Sequence, residues 1–362
     1  MKKIIAVILC CVLALSFTAC SGSETNEVVS TEPAQTNVAT FTAEKKEKLS
    51  NKLDDFDGIV YFTQNGEVLF SHAKGKDECG NDLTVESPMY IGSVSKQFCA
   101  TAVMMLKEQG KLSVDDTLDK YFPEYELGKD ITIKNLLTMR SGIPNIHENP
   151  ELFNDVTSDK TESENFEIIK NWVFEQSLNF EPDTAYEYSN TNYTLLANIV
   201  EMVSGKPYNE FVRENIFEPL KTEHTGFICE VEDNDFYSAS LTYDTFGYND
   251  DADGVAKGAG DIVTTAPDID KWMTGLSNGE IISDESYREM TTDYSPDSGM
   301  IYGYGLMGMY KKGVGHTGNI GSYVSVDYIN EEFGVNIFAV TTKDHNEINN
   351  IPSTIMDVLL ND

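Results

Sequence analysis

The chain has 362 residues, 40% of them hydrophobic and 24% charged, with 26 glycines and 11 prolines. That is ordinary globular composition, which excludes a wholly disordered, collagen-like or multi-pass membrane protein. Lysine and arginine number 26 against 60 acidic residues, a formal net charge of −34. Such a chain repels phosphate backbones, so nucleic-acid binding is discarded, while cationic or zwitterionic small substrates stay open.

Residues 1–20 read as an address rather than fold. Lys2 and Lys3 precede an apolar run from Ile4 to Leu15, followed by Phe17-Thr18-Ala19-Cys20. A short positive segment, about a dozen apolar residues and small residues before a cut site make a secretory signal. The run is too short to span a bilayer comfortably. Cys20, with Ser21-Gly22-Ser23 behind it, resembles the lipobox of bacterial lipoproteins, in which that cysteine is lipidated and becomes the new N-terminus. Phe17 stands where Leu is more usual there. The expected location is therefore extracytoplasmic, lipid-anchored to the bacterial membrane through Cys20, with plain secretion after Ala19 as the alternative. Residues 21–46 are expected to be a disordered tether, rich in Ser, Thr, Glu and Asn up to about residue 42. Beyond them only Cys79, Cys99 and Cys229 remain, an odd number that supports no disulfide framework. Cys99 falls in an apolar helical pattern as a small buried residue.

Residues 47–362 read as one catalytic domain without linker or repeat. Its first signal is a hairpin, Gly58 to Thr63 and Glu67 to Ser71, turning at Asn65-Gly66. Ser95 to Gln109 is predicted to be a helix with Phe98, Ala102, Met105 and Leu106 on one face and Gly110 as its stop. From about 112 to 290 the pattern is mainly helical, with helices expected at Thr191–Val203 and Tyr208–Ile216. Strands return at Gly303–Met309, Ser322–Asn330 and Val335–Thr342, before a last helix from Ile348 to Leu360. Strands at both ends around a helical middle predict an α+β fold. Its antiparallel sheet is built from N- and C-terminal segments and flanked by helices, with a mainly helical lobe inserted.

Three short motifs carry chemistry. In Ser93-Val94-Ser95-Lys96, residues three apart on a helix share a face, so the ammonium can reach the hydroxyl. A desolvated lysine can act as base for a serine nucleophile, and a helix start offers free N–H groups to an oxyanion. The same spacing recurs at Ser71 and Lys74, but only Ser93 follows Gly92 at a strand-to-helix junction. Tyr188-Ser189-Asn190 pairs a phenol able to relay a proton with an amide able to orient a substrate. A helix cap by Ser189 or Asn190 would look the same, and the second match, Tyr328 to Asn330, reads as packing and turn. His316-Thr317-Gly318 precedes a strand, whereas His224-Thr225-Gly226 reads as a helix exit.

In that order, the three motifs resemble the serine β-lactamase and penicillin-binding-protein superfamily. The likeness is to its class C-like branch of DD-peptidases, esterases and class C β-lactamases. It covers about 50 to 345 and includes the phrases Ile91 to Phe98, Gly110 to Asp116, Leu136 to Pro144, Ile216 to Leu220 and Tyr302 to Gly305. The resemblance implies a β-lactamase/transpeptidase-like fold and an acyl-enzyme on Ser93. Lys96 would be its base or the cation that keeps Tyr188 acidic. Tyr188 would pass a proton to the leaving group, and Asn190 would hold the acyl side chain. His316, Thr317 and Gly318 would bind substrate, and the backbone N–H groups of Ser93 and Asn319 would form the oxyanion hole. His316 replaces the lysine of class C β-lactamases, which points toward D-alanyl-D-alanine carboxypeptidases and esterases. The implied substrates are a peptidoglycan stem peptide or a D-alanyl ester. The alternatives are a true β-lactamase and a catalytically silent scaffold. Two departures stand out: Asp183 follows Pro182 where relatives often carry Gly, and Lys257-Gly-Ala-Gly-Asp261 is a variant Gly-rich stretch. The acidic segments 145–182 and 229–256 are expected to rim the cleft. No cofactor and no metal are expected. The five histidines form no zinc-type pair, and the calcium-like run Asn249 to Gly254 has Gly260 where the loop needs Glu.

Overall fold

The computed structural model describes residues 39–149, 151–157, 160–242, 255–343 and 347–361. The signal, Cys20, most of the tether and the calcium-like run lie outside them. The first helix, α1 (Ala43–Leu53), starts at a Thr42 side-chain cap and so begins four residues before the expected boundary at 47. Lys45 donates to the carbonyl of Leu359 at 2.7 Å, and Phe41 packs edge-on against Phe62 at 5.2 Å.

The hairpin follows as β1 (Gly58–Gln64) and β2 (Glu67–Lys74), turning at Asn65-Gly66 with both residues at positive φ. After β3 (Met89–Tyr90), a 3₁₀ turn over Gly92–Ser95 leads into α2 (Lys96–Glu108). The middle of the chain holds α3 (Ile133–Leu137), α4 (Glu162–Glu175) and α5 (Asn190–Ser204). Next, α6 (Tyr208–Val212) runs through a π-helical turn, Arg213–Phe217, into α7 (Glu218–Leu220). The expected helix over 208–216 is thus widened at its end, where Pro219 has no N–H for regular i→i−4 bonding. The stretch 112–290 is also less purely helical than expected. It contains β4 (Gly226–Phe227) and β5 (Ile262–Thr264), alongside α8 (Asp235–Ser238), α9 (Ala266–Ser277) and α10 (Asp284–Thr291).

The C-terminal strands are β6 (Met307–Gly308), β7 (Val314–Ile320), β8 (Tyr323–Asn330) and β9 (Val335–Thr341), before α11 (Ile351–Leu360). The strand expected over Gly303–Met309 shrinks to two residues. Gly305 has φ +68°, and a Cβ there would meet the Lys96 carbonyl at 2.7 Å, so the backbone turns tightly against α2 instead of extending. The main sheet is antiparallel in the order β2-β1-β9-β8-β7-β6, and β3-β5-β4 form a small second one. N- and C-terminal strands meet at β1–β9, as the strand distribution predicted, and the fold is α+β.

Two cores flank the main sheet. On one face α1 and α11 cover Val60, Phe62, Val326 and Ile337. On the other, α2 lies in the larger core, where Phe98 stacks on Trp272 at 3.9 Å and Cys99 is fully buried. Burying α2 all round is what lets its first residue, Lys96, be fully excluded from water.

Candidate active site

Ser93 sits in the 3₁₀ turn, only partly buried, at the mouth of α2. Gly92, at φ +50°, makes that turn possible, because a Cβ there would lie 2.8 Å from the Asn319 nitrogen. The close approach brings the Ser93 turn and β7 backbone to backbone. Gly318 does the same from the other side, where a Cβ would meet the Ile91 carbonyl at 1.9 Å. Ser325 secures the contact by donating to that carbonyl at 2.8 Å.

Lys96 Nζ donates to three neutral oxygens: Ser93 Oγ at 3.0 Å, Asn190 Oδ1 at 2.7 Å and the Ala259 carbonyl at 2.5 Å. Burial pushes its ammonium down to about 7, with Cys99 and Asp261 opposing weakly. A lysine poised near neutrality and in contact with a serine hydroxyl is equipped to take that proton.

Tyr188 lies beside this pair, with Lys96 Nζ 4.9 Å from its ring centre. Its hydroxyl is buried and makes no well-formed hydrogen bond. Burial pushes the phenol up, with Ser93 the main opposing influence, so Tyr188 rests as a protonated donor. The reading in which Lys96 holds Tyr188 near ionisation finds no hydrogen bond here, since the three donations of Nζ go to Ser93, Asn190 and Ala259. The tyrosine's suit is giving a proton, not taking one.

Asn190 opens α5, but the cap is not made by Ser189, whose side chain makes no cap bond. Asn145 Oδ1 accepts from the Asn190 N–H at 3.2 Å, and Thr191 Oγ1 donates to the Pro144 carbonyl at 2.7 Å. The end of the Leu136-to-Pro144 phrase and the Asn145 that follows it therefore seat the start of α5. With Oδ1 given to Lys96, Asn190 keeps its Nδ2 donors for a substrate acceptor.

His316 is nearly fully buried on β7. Its Nδ1 lies 2.6 Å from the Thr317 carbonyl, which can only accept, so Nδ1 carries the proton. Nε2 then accepts from the Tyr302 hydroxyl at 3.2 Å. Burial first, then the Lys96 charge, pushes the imidazole down to about 3, and the ring is neutral. Both nitrogens are committed, so the expected direct contact of His316 with substrate would cost one of these bonds. Thr317 and Asn319, by contrast, remain partly or fully exposed on the same strand.

Beneath β7 lies a network that the motifs did not reveal. Asp327 is fully buried and accepts from Gln97 Nε2 at 2.8 Å and from the His316 N–H at 2.7 Å. Gln97 Oε1 accepts from Trp272 Nε1 at 3.1 Å, and burial pushes the Asp327 carboxyl up to about 7. A single charged residue, Asp327, inside the strand pattern Tyr323 to Ile329 was the available signal. Of the duplicated motifs, Ser71 and Lys74 lie on β2, away from this site in the chain's hairpin, and His224 stacks on Phe236 at 4.4 Å. Among the described residues, no group of three or more His, Cys, Asp or Glu side chains is arranged to hold a metal ion.

An antiparallel sheet covered by helices, with a serine–lysine pair at the start of its buried central helix, defines the class of penicillin-binding proteins and related serine hydrolases. The Beta-lactamase family model matches residues 48–353, and the chain belongs to that family. It is 32% identical over 275 residues to PbpX of Bacillus subtilis (strain 168), which bears a penicillin-binding-protein name, covering 73% of this chain and 66% of that one. The chain thus spans about two thirds of that relative's length. It is 26% identical over 311 residues to the teichoic acid D-alanine hydrolase of Staphylococcus aureus (strain MRSA252), covering 83% of this chain and 73% of that protein. The crystal structure of D-amino acid amidase from Ochrobactrum anthropi SV3 superposes with a TM-score of 0.69 at 25% identity, covering 87% and 99% of the two chains.

Proposed function

We propose that this protein is an extracytoplasmic serine hydrolase that forms an acyl-enzyme on Ser93 and cleaves D-alanyl esters or D-alanyl peptides of cell-wall material. The observation that carries the reading is the buried Lys96 ammonium, 3.0 Å from Ser93 Oγ with only neutral oxygens around it. Neutral Lys96 takes the hydroxyl proton as Ser93 Oγ bonds to the substrate carbonyl carbon. The oxyanion accepts from the backbone N–H groups of Ser93 and Asn319. As the tetrahedral carbon collapses, Tyr188 gives its proton to the departing oxygen or nitrogen, and the proton held by Lys96 restores the phenol. Water repeats the sequence to free the acid. Asn190 and Thr317 orient the acyl group, and Gly318 admits β7 to the site. His316 acts by holding the Thr317 peptide rather than by offering charge.

The relatives named for D-alanine hydrolysis and D-amino acid amide cleavage support a D-configured acyl group. The net charge of −34 favours a substrate bearing a free ammonium, as a D-alanyl ester does. Lipidation of Cys20 would keep the enzyme at the membrane. In that case wild-type protein partitions with membranes and Cys20→Ser does not, and a soluble wild type leaves secretion instead.

The deciding experiment is turnover of a D-alanyl ester, a D-alanyl-D-alanine peptide and a nitrocefin-type β-lactam by the purified enzyme. We expect measurable ester or peptide hydrolysis and slow or negligible β-lactam turnover. A neutral His316 gives an anionic β-lactam carboxylate less attraction than a lysine would. Rapid cephalosporin hydrolysis would make β-lactamase the primary reading. A wild type silent on all three, with Ser93 unlabelled by a phosphonate, would leave a scaffold.

A further inference from the structure

The loop that delivers Tyr188 is gripped by Arg140, a residue inside the Leu136-to-Pro144 phrase to which the resemblance assigned no role. Arg140 follows Met139, whose φ of +59° turns the chain out of α3. Its side chain is 9% exposed. Nε donates to Asp183 Oδ1 at 2.8 Å, and one terminal nitrogen donates to the Asp183 carbonyl at 2.6 Å. The terminal nitrogens also reach Asp297 Oδ1 at 2.7 Å and Oδ2 at 3.4 Å. Backbone bonds zip the same two segments together, from the Asp183 N–H to the Arg140 carbonyl at 2.8 Å and from the Glu187 N–H to the Met139 carbonyl at 3.0 Å.

Asp183 itself sits at φ +64°, in the left-handed region. Glycine would occupy it without strain, and an aspartate persists there only when its surroundings repay the cost. Here both the carboxylate and the carbonyl of Asp183 turn onto one guanidinium, an arrangement glycine cannot offer. Taken singly, these bonds to exposed carboxylates would be weak. They share a buried guanidinium, and planar forked pairing adds geometric specificity. The other end of the fork holds Asp297, in the segment whose Tyr294 N–H donates to the Tyr302 carbonyl at 3.0 Å. Tyr302 is the partner of His316 Nε2. One arginine therefore ties the Tyr188 arm to the His316 arm.

We propose that Arg140, gripping Asp183 and Asp297, is a positioning residue that fixes the Tyr188 loop so that the phenol is aimed at the leaving group. The inference rests on the reading of Tyr188 as proton donor. If it holds, loosening the clamp slows acylation by substrates whose leaving group must be protonated and spares acylation by those whose leaving group departs as a stable anion.

The test compares kcat/KM, which reports acylation alone because deacylation is common to both, for two substrates with the same D-alanyl group, an anilide or alkyl ester and a p-nitrophenyl ester. General-acid catalysis contributes about 10²–10⁴-fold, of which a loosened loop forfeits part. Asp183→Gly is expected to lower kcat/KM about ten-fold on the first substrate and less than about two-fold on the second. Arg140→Lys, which keeps the charge but not the fork, gives the same split. The double variant loses no more than the worse single one, because both act through one clamp. Asp183→Asn, which tolerates the left-handed backbone and keeps an acceptor oxygen, falls only about two- to three-fold, and it serves if the glycine variant fails to fold. Equal losses on both substrates, independent losses in the double variant, or no loss at all would overturn the clamp while leaving the hydrolase intact. A wild type inert on both substrates with Ser93 unlabelled would instead sink the functional reading beneath it.

Discussion

Ser93–Lys96 and Ser71–Lys74 share one spacing and have nothing else in common. On the 3₁₀ turn and the first residue of α2, the lysine folds back onto the serine at 3.0 Å. On β2, residues three apart point to opposite faces, and Lys74 donates to the Asp54 carbonyl at 2.6 Å instead. The two His-Thr-Gly runs differ in the same way. His316 lies mid-strand opposite Asp327, with its peptide and ring all bonded, whereas His224 precedes a two-residue strand and its N–H serves Asp268. A motif thus acquires chemistry from the element that carries it and from what that element packs against.

The largest expected effect separates the two serines. Ser93→Ala should abolish covalent labelling by a fluorophosphonate with the melting temperature nearly unchanged, because one hydroxyl carries no core volume. Ser71→Ala should label like wild type. Labelling lost in the second variant and kept in the first would reverse the assignment.

A second pair of variants sets the two motif glycines apart. In Gly318→Ala the new methyl would meet the Ile91 backbone carbonyl and Ser325, neither of which can retreat without moving β7 from the Ser93 turn. Denaturant unfolding should show a loss of about 1–3 kcal/mol, and Ser93 labelling should slow with it. In Gly226→Ala the nearest atoms are the ends of the Glu230 and Tyr237 side chains, which can shift. That variant should lose under about 1 kcal/mol and keep its labelling rate. Equal losses would mean that the approach of β7 to Gly92 is not the constraint argued above.

The smallest effect is a midpoint. The base form of Lys96 is neutral, so Ser93 labelling should rise with pH through about 7 as its proton leaves, and fall away below. His316, already pushed down to about 3, adds no step in that range, and His316→Gln should leave the midpoint in place while lowering the rate. Burial pushes the carboxyls of Asp261 and Asp327 up to about 7 as well. A midpoint that moves in Asp261→Asn or Asp327→Asn would assign the limb to that carboxyl rather than to Lys96.

Much of this molecule was legible in one dimension because its signals are local. Asn-Gly between alternating runs fixes a hairpin through backbone φ alone, and the apolar pattern from Phe98 to Leu106 fixes α2 through burial of its faces. The α+β class and the contact of Lys96 with Ser93 followed from the same local logic. The helix from Ala43 was hidden because its sequence is mostly charged, and it is held by distant partners, the Leu359 carbonyl among them. The strand over 303–309 is shorter than its sequence pattern suggests because nothing local reveals that Gly305 must press against the Lys96 backbone.

Within the site, the sequence by itself determined which side chains are present and that Ser93 and Lys96, three apart at a helix start, can touch. Only the tertiary structure decided their chemical states, because a pKa depends on burial and on partners brought from far along the chain. Asn190 and Ala259 surround Lys96 with neutral oxygens, Tyr302 and the Thr317 carbonyl hold His316 in one tautomer, and Asp327 anchors its backbone. The residues are written in the sequence, but their protonation belongs to the fold, which sets the dielectric and the neighbours each of them meets.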